Sequence, residues 1–523
     1  MNLLIHRDGQ QYGRYTLDEA HALLAEGKLL PGDLALPDGS TNWKPLSSLP
    51  GFSTAPVVAA VPVVDAKRRR RMPRYISIPL YALGLLLMTF LIWRINLASQ
   101  INARLAAAKA AGYPVNTTEL DAWYEAVPEN ENAALLVMQA IEQLQSYDSY
   151  QEDADNQVLR QTPRTSPLPP SLKEHYRQRV EASRSALTLL HQAGTLSKSR
   201  YPIDLTQGAL TDLKHLSKVR SCAIALKWEA LWRADKNDPA TAKSIQAGLA
   251  LGRSLKSEPT LISQLVRIAI HTITCASLER GVNQIKFSDE QLTALGSSLH
   301  EADDTTPMSH ALAGERATFI ENFRATAKTQ KAGNPSPDST DEPLDMGQFQ
   351  KHLGLLRWTG IFERDLRFWL TSMETNIAVA ARLAPESLTM ANLIGAQSLK
   401  ARINFHIMSG LLLPDLGKVI VRAADDSARL RVAETALAIE RFRLAHQNQL
   451  PDSLAALVPA YLKTVPTDPF DGQPLRYQGR EKGYVVYSIG TDLKDNGGAE
   501  AKKDAKGSTI RHVPFDITFT VER

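Results

Sequence analysis

Apolar residues follow three different rules along this chain. Between Tyr75 and Trp93 they are continuous: YISIPLYALGLLLMTFLIW has nineteen residues and no charge. At about 1.5 Å per helical residue it spans close to 30 Å, the depth of a bilayer's hydrocarbon core. Pro79 falls in the first turns, where a missing N–H does little harm, and Tyr75, Tyr81 and Trp93 suit the membrane–water boundary. From Leu210 to Gly281 the spacing is helical. Val219, Cys222, Ala223, Leu226 and Ala230 form one stripe, Ile245, Leu249 and Gly252 a second, and Leu261, Leu265, Ile268, Thr272 and Cys275 a third. The links Asp235–Asp238 and Glu258-Pro259 are short, so neighbouring helices are expected to pack antiparallel. Near the C-terminus the short run Tyr484–Ser488 and the alternating stretch Phe515–Val521 predict strands.

Helix ends are marked as clearly as helix faces. Thr16 with Glu19 has capping-box spacing, and Gly27 suits a left-handed stop, so a helix is expected over about Leu17–Glu26. The turns Pro31-Gly32 and Asp38-Gly39 bracket Leu34-Ala35-Leu36, which predicts a small sheet on that helix and a compact α/β unit over residues 1–52. Residues 53–66 contain Pro56 and Pro62 without polar-face periodicity and read as an extended tether. Beyond the apolar run, alanine-rich Asn96–Ala111 extends the helix until Gly112-Tyr113-Pro114 stops it. Asn116 with Glu119 caps a helix through Asp121 and Trp123, and Ser288 with Gln291 caps another through Leu299. Gln151–Ser171 and Lys328–Glu342 are rich in Pro, Ser, Asp and Asn and are expected to be mobile loops. A further helix is predicted from Asp425 to about Gln447. Its stripe Val432, Ala436, Ile439 and Phe442 and its second stripe Leu430, Ala433, Leu437 and Leu444 imply packing on two sides. A short helix near Ser453–Leu457 and the strands Leu475–Tyr477, Tyr484–Ser488 and Phe515–Val521 complete an α+β unit.

The first fifty residues resemble a known family, the second type of GYF domain. The likeness runs through Tyr12-Gly13-Arg14-Tyr15, Leu17, Leu23, Leu24, Gly27, Leu29, Asp38-Gly39, Trp43, Leu46 and Leu49. It implies a module beside a membrane segment and a peptide-binding cradle to which Tyr12, Tyr15 and Trp43 contribute, taking a proline-rich peptide or a cytoplasmic protein. A polyproline II ligand is pre-ordered and packs its rings on flat aromatic faces. The sequence departs from the family at Arg14, where a proline is common, and at Leu36, where an aromatic is frequent. Trp43 and Tyr15 can equally serve as core, since buried aromatics often only pack.

Two further resemblances concern the rest of the chain. AAGYPVNTTELDAWYEAVPENENAALLVMQAI is similar to the membrane-proximal segment of uncharacterised single-pass bacterial membrane proteins. Residues 431–519 resemble the globular part of the major pseudopilin of type II secretion, through the helix ending before Leu450-Pro451, Asp468-Pro469-Phe470-Asp471-Gly472, the run Tyr484–Gly490 and Asp516-Ile517. That likeness implies a calcium ion held by Asp492, Asp495 and Asp516; the alternative is a solvated Asp-Asn-Gly-Gly turn.

Composition narrows the function classes. With 523 residues, 43% hydrophobic, 22% charged and 2 cysteines, the chain is neither disordered nor a disulfide-stapled miniprotein. Its net charge of +4 includes six cations packed into Lys67, Arg68, Arg69, Arg70, Arg71 and Arg74. Their position beside the apolar run invokes the positive-inside rule and needs no nucleic acid partner. The expected topology places residues 1–74 in the bacterial cytoplasm, one helix over residues 75–95 in the inner membrane, and the remainder in the periplasm or otherwise outside. The expected fold is therefore multidomain: a GYF-like α/β domain (1–52), a linker (53–74), the transmembrane helix, a mainly helical domain (96–424) and a pseudopilin-like α+β domain (425–523).

No phosphate loop, zinc-protease, nucleophile-elbow, C-x-x-C or dinucleotide motif occurs. The pairs His300-Glu301 and His310 with Glu315 read as surface or capping residues. Cys222 and Cys275 read as buried free thiols, with a disulfide as the alternative. The function expected is a membrane-anchored, non-catalytic adaptor or envelope protein. The alternatives are an envelope hydrolase with a polar cleft in the helical region, or a component related to type II secretion.

Overall fold

Thr16 and Glu19 close the capping box their spacing predicts: Thr16 Oγ1 accepts the Glu19 N–H, and the Glu19 carboxylate accepts the Thr16 N–H at 2.8 Å. They open α1 (Leu17–Ala25) in a computed structural model that describes residues 1–52, 74–146, 149–304, 306–325, 358–381, 386–501 and 514–523. The chain divides into two units, Met1–Leu85 and Leu86–Arg523.

In the first unit, β1 (Asn2–Arg7), β2 (Gln10–Thr16), β3 (Leu34–Pro37) and β4 (Lys44–Pro45) form an antiparallel sheet in the order β2-β1-β3-β4. Period two decides its inner face. Leu3, Ile5 and Ala35 are fully buried with Ala20 of α1, and Leu29, Leu46 and Phe52 close the core. Arg7 and the buried Asp33 form a two-pronged ion pair, and Asp33 also accepts the Leu30 N–H at 2.7 Å. That pair ties the end of β1 to the loop before β3.

Helix α2 (Arg74–Ala110) runs unbroken through the apolar stretch and its alanine-rich extension, and Gly112 turns the chain at φ +79°. By length and composition it can cross a membrane. Every residue from Ile78 to Trp93 is exposed. From Leu97 onward one face is buried: Leu97, Ile101, Leu105 and Ala108 join a core with Trp369, Met373 and Leu413. The only other helix long and apolar enough among the described residues, α10 (Leu261–Gln284), is mostly covered and carries the buried Arg267 and His271, as expected of a core helix.

The predicted helices of the middle region are present as α3 (Thr117–Trp123), α8 (His215–Asp235), α9 (Thr241–Ser254), α10 and α11 (Asp289–Ala302), and α4 (Ala133–Gln143), α5 (Ser149–Gln161), α6 (Pro170–Ala182) and α7 (Arg184–Ala193) join them. Asn116 and Ser288 cap α3 and α11 as their spacing implies. Gly252 lets α9 approach α10, since a Cβ there would lie 2.6 Å from His271 Nε2. Cys222 and Cys275 are buried free thiols in two different cores, so the disulfide alternative is not realised.

Three expectations are corrected. The supposed mobile loop Gln151–Ser171 contains α5 and the start of α6. Its polar composition misleads because Glu152 is buried, accepting from Trp228 Nε1 at 2.9 Å and Arg179 at 3.1 Å and pairing with Lys227. The expected loop Lys328–Glu342 lies outside the described residues. The C-terminal helix starts at Ile407 rather than Asp425 and runs to Ala445, following α12 (Thr306–Ala325), α13 (Ile361–Ala380) and α14 (Glu386–Ile403); it is α15 here. It therefore crosses the expected boundary at 424/425. One core joins Leu278, Val282 and Leu295 to Leu430, Ala436 and Ile439 of α15 and to Val486, Phe519 and Val521 of the sheet. Leu444, assigned to the second stripe, is 51% exposed because the helix has passed the edge of the core.

The sheet itself is antiparallel with the order β5 (Arg476–Gly479), β6 (Tyr484–Ser488) and β7 (Ile517–Val521). Tyr484 fastens it to α15 by donating its hydroxyl to the Ala436 carbonyl at 2.9 Å.

Asp33→Ala removes the acceptor of both Arg7 contacts and of the Leu30 N–H. In the full chain, hydrogen exchange of the Leu3 and Ile5 amides is expected to accelerate about tenfold, and an unchanged rate would show the pair to be dispensable.

Candidate functional site

The outer face of the N-terminal sheet is built by a register shift. β2 follows β1 from Leu3↔Tyr15 and Leu4↔Arg14 but resumes at His6↔Gln11, so Tyr12 and Gly13 stand opposite Ile5 alone. Gly13 takes φ +79°, the left-handed residue such a bulge needs. The bulge turns Tyr12 outward, 39% exposed, with the Arg7 guanidinium 5.4 Å from its ring centroid. At the opposite edge, just before β4, Trp43 is 40% exposed and its ring lies 5.6 Å from that of His6. Between the edges, Leu4, His6, Leu34 and Leu36 occupy the outward positions of β1 and β3.

Of the three aromatic residues named from the sequence, the sheet thus places Tyr12 and Trp43 on exposed positions. Tyr15, paired with Leu3, packs against the core beside Leu17 and Leu23. Sequence reasoning missed His6. Its signal was alternation: Leu3 and Ile5 face inward, so His6 had to face outward.

Residues 4–52 match the family model described as GYF domain 2. Residues 4–52 thus form a GYF-like domain, which suggests a protein-interaction module. No curated protein and no solved structure matches the chain.

In the second unit a polar cleft of about 600 Å³ lies between α11, α15 and the segment Tyr461–Thr467. His300 Nδ1 sits 3.2 Å from Glu434 Oε1, and Asp303 accepts from Arg431 Nε at 2.7 Å and from Ser427 Oγ. Burial raises the Glu434 pKa against the pull of His300. Each of these acids is met by a group of the facing helix, so the pairs tie α11 to α15. The other histidine pairs separate. Glu301 meets Arg253, His310 packs on Trp123 with rings 4.7 Å apart, and the buried Glu315 accepts the Leu261 N–H at the head of α10. Deeper in the interface, His271 Nδ1 lies 2.9 Å from Asp426 Oδ2, and burial pushes the neighbouring Asp425 up to about 6 against Arg429.

The loop after β6 gathers the acids named as calcium ligands only in part. Asp516 accepts the Gly498 and Asn496 N–H groups at 2.8 and 3.3 Å. Asp492 accepts the Lys494 N–H at 3.1 Å, and Asn496 Nδ2 donates to both Asp492 and Asp516 at 3.2 Å. Asp495 turns instead to the Tyr487 hydroxyl and the Gly497 N–H. An N–H group lies where a cation would bridge Asp492 to Asp516, so this arrangement does not fit calcium as drawn from the resemblance. No group of three His, Cys, Asp or Glu positioned for a metal occurs among the described residues.

The raised pKa of Asp425 fixes a pH dependence. The native state holds its proton above the unfolded value of 3.8, so stability falls as pH rises from about 4 to about 6, by up to about 3 kcal/mol, and is level above that. Denaturant unfolding of Asp425→Asn between pH 4 and pH 7 is expected to show a flatter profile than wild type, and parallel profiles would contradict the assignment.

Proposed function

We propose that this protein is a single-pass membrane-anchored adaptor whose GYF-type module takes a proline-rich segment of a cytoplasmic protein across the outer face of its sheet. The observation that carries the reading is the family match together with the exposed row from Tyr12 through His6 and Leu34 to Trp43. From β2 to β4 is three strand spacings, about 14 Å. A polyproline II segment rises about 3.1 Å per residue, so about five residues bridge the two aromatic edges. Its flat rings would rest on Tyr12 and Trp43, and its lack of N–H donors suits a surface whose polar groups are few.

Anchoring rests on α2. Its uncharged, fully exposed stretch has the length of a hydrocarbon core, and the cations Lys67–Arg74 at its head favour a cytoplasmic N-terminus. Residues 94–523 then form the body on the far side of a bacterial inner membrane. What supports a pseudopilin-like reading of its last hundred residues is the order of a long helix and three antiparallel strands. This supports a likeness of fold alone, and no secretory role is built on it. The acids of the polar cleft are paired across helices, which favours a scaffold over the hydrolase alternative.

Titration of a fluorescein-labelled ten-residue proline-rich peptide against the full chain, read by anisotropy, tests the adaptor role. Trp43→Ala is expected to weaken binding at least tenfold with an unchanged melting temperature, whereas Tyr15→Ala lowers the melting temperature. Equal affinities for wild type and Trp43→Ala would contradict the peptide site.

A further inference from the structure

Where α2 leaves its uncharged stretch, the second unit builds a basic pocket. Helix α13 runs beside the emerging helix: Arg94 donates to Glu363 at 2.8 Å, Arg367 to Gln100 at 2.9 Å, and Arg104 pairs with Glu374. Gly360 presses against Trp93, leaving no room for a Cβ, which would lie 2.7 Å from the indole. The turn between α14 and α15 closes the other side, where Arg364 donates to the Asn404 carbonyl at 2.6 Å. The resulting cavity of about 420 Å³ is lined by Arg104, Arg364, Arg367, Lys400 and His406, with no carboxylate in its wall among the described residues. His406 is 7% exposed, stacks on Phe368 at 4.4 Å, and its Nδ1 has no hydrogen-bond partner among the described residues. Burial lowers its pKa, and the nearby Arg364, Arg367 and Lys400 charges add to this against the opposite pull of Asp365.

The turn that carries Asn404 and His406 also exposes large apolar side chains. Ile403, Phe405 and Ile407 are 66%, 78% and 51% exposed. Phe405 also holds a left-handed φ of 54°, a conformation that a bulky residue adopts only under constraint. Gln100 stands seven residues beyond Trp93, about 10 Å along the helix. The pocket therefore runs from the level of the Arg94–Glu363 pair, one residue past Trp93 and within the ~5–8 Å headgroup layer, to Gln100 just beyond it.

We propose that this pocket seats the phosphate of an anionic phospholipid in the leaflet that α2 leaves, with Phe405 and its apolar neighbours resting in the acyl region. The inference rests on the membrane reading of α2. Arg367 and Lys400 supply the charge, Arg364 holds the turn, and His406 Nδ1 can donate to or accept from a headgroup hydroxyl or phosphate. The converging cations, the orphaned ring nitrogen and the exposed apolar turn are all accounted for by one occupant already present where they lie.

The test uses the full chain in mixed micelles of phosphatidylglycerol and phosphatidylcholine, with retained lipid counted by native mass spectrometry. Wild type is expected to retain phosphatidylglycerol preferentially. Each basic contact at a membrane surface is worth about fivefold, so Lys400→Gln loses about fivefold of that preference and Arg367→Gln/Lys400→Gln about thirtyfold. The cations at residues 67–74 are the same in all three proteins and cancel in the comparison. Equal preference in wild type and variants overturns the lipid site while leaving α2 in the membrane. Removal of wild type from vesicles by carbonate overturns the membrane reading and the site with it.

Discussion

A helix surface that is apolar on every side needs an apolar solvent. From Ile78 to Trp93, α2 exposes twelve large apolar side chains, and leaving each in water forgoes roughly 1.5–3 kcal/mol. The sum exceeds the ~5–15 kcal/mol that holds a typical domain together. Hydrocarbon removes that cost, and it dictates the rest of the proposed arrangement: which residues precede the bilayer, which follow it, and where a charged pocket can meet lipid. The same helix then changes role within a single turn. By Leu97 one face is buried, and Leu97, Ile101, Leu105 and Ala108 are core residues of the second unit. The second unit thus packs directly on the continuation of the same helix.

Within that body, α15 is the shared element. Its first half joins the core that holds the end of α2, and its second half joins the core that holds the sheet. Between the two lies a band of buried polar groups, His271 with Asp426 and Asp303 with Arg431. Such pairs return little net stability, because desolvation offsets their attraction, but removing one partner is costly. They penalise any shift of α15 against α10 and α11. A packed connection from the end of α2 to the sheet suits the proposed scaffold, and the paired state of its acids is consistent with that role.

What the residues revealed in advance was local. Thr16 with Glu19, Asn116 with Glu119 and Ser288 with Gln291 marked helix starts because a cap involves residues three apart. The short apolar run Tyr484–Ser488 marked the buried middle strand. What stayed hidden depended on distant partners. Gln151–Ser171 looked like a loop because Glu152 is stabilised by Lys227, Trp228 and Arg179, none of them nearby in sequence. The early start of α15 also stayed hidden: Pro414 and Gly417, poor helix formers, lie inside it. At the candidate peptide site Tyr12 and Trp43 were legible as aromatics. The bulge at Gly13 and the His6 contact needed the register. The lipid pocket was illegible, since its cations come from α2, α13 and α14.

The central claim is that α2 divides the molecule between two sides of a bilayer. Protease added to spheroplasts expressing the full chain, with fragments identified by mass spectrometry, tests it most directly. The account predicts that residues 94–523 are digested while residues 1–52 remain intact until the membrane is lysed. Digestion of residues 1–52 in unlysed spheroplasts, or protection of residues 94–523, would contradict it.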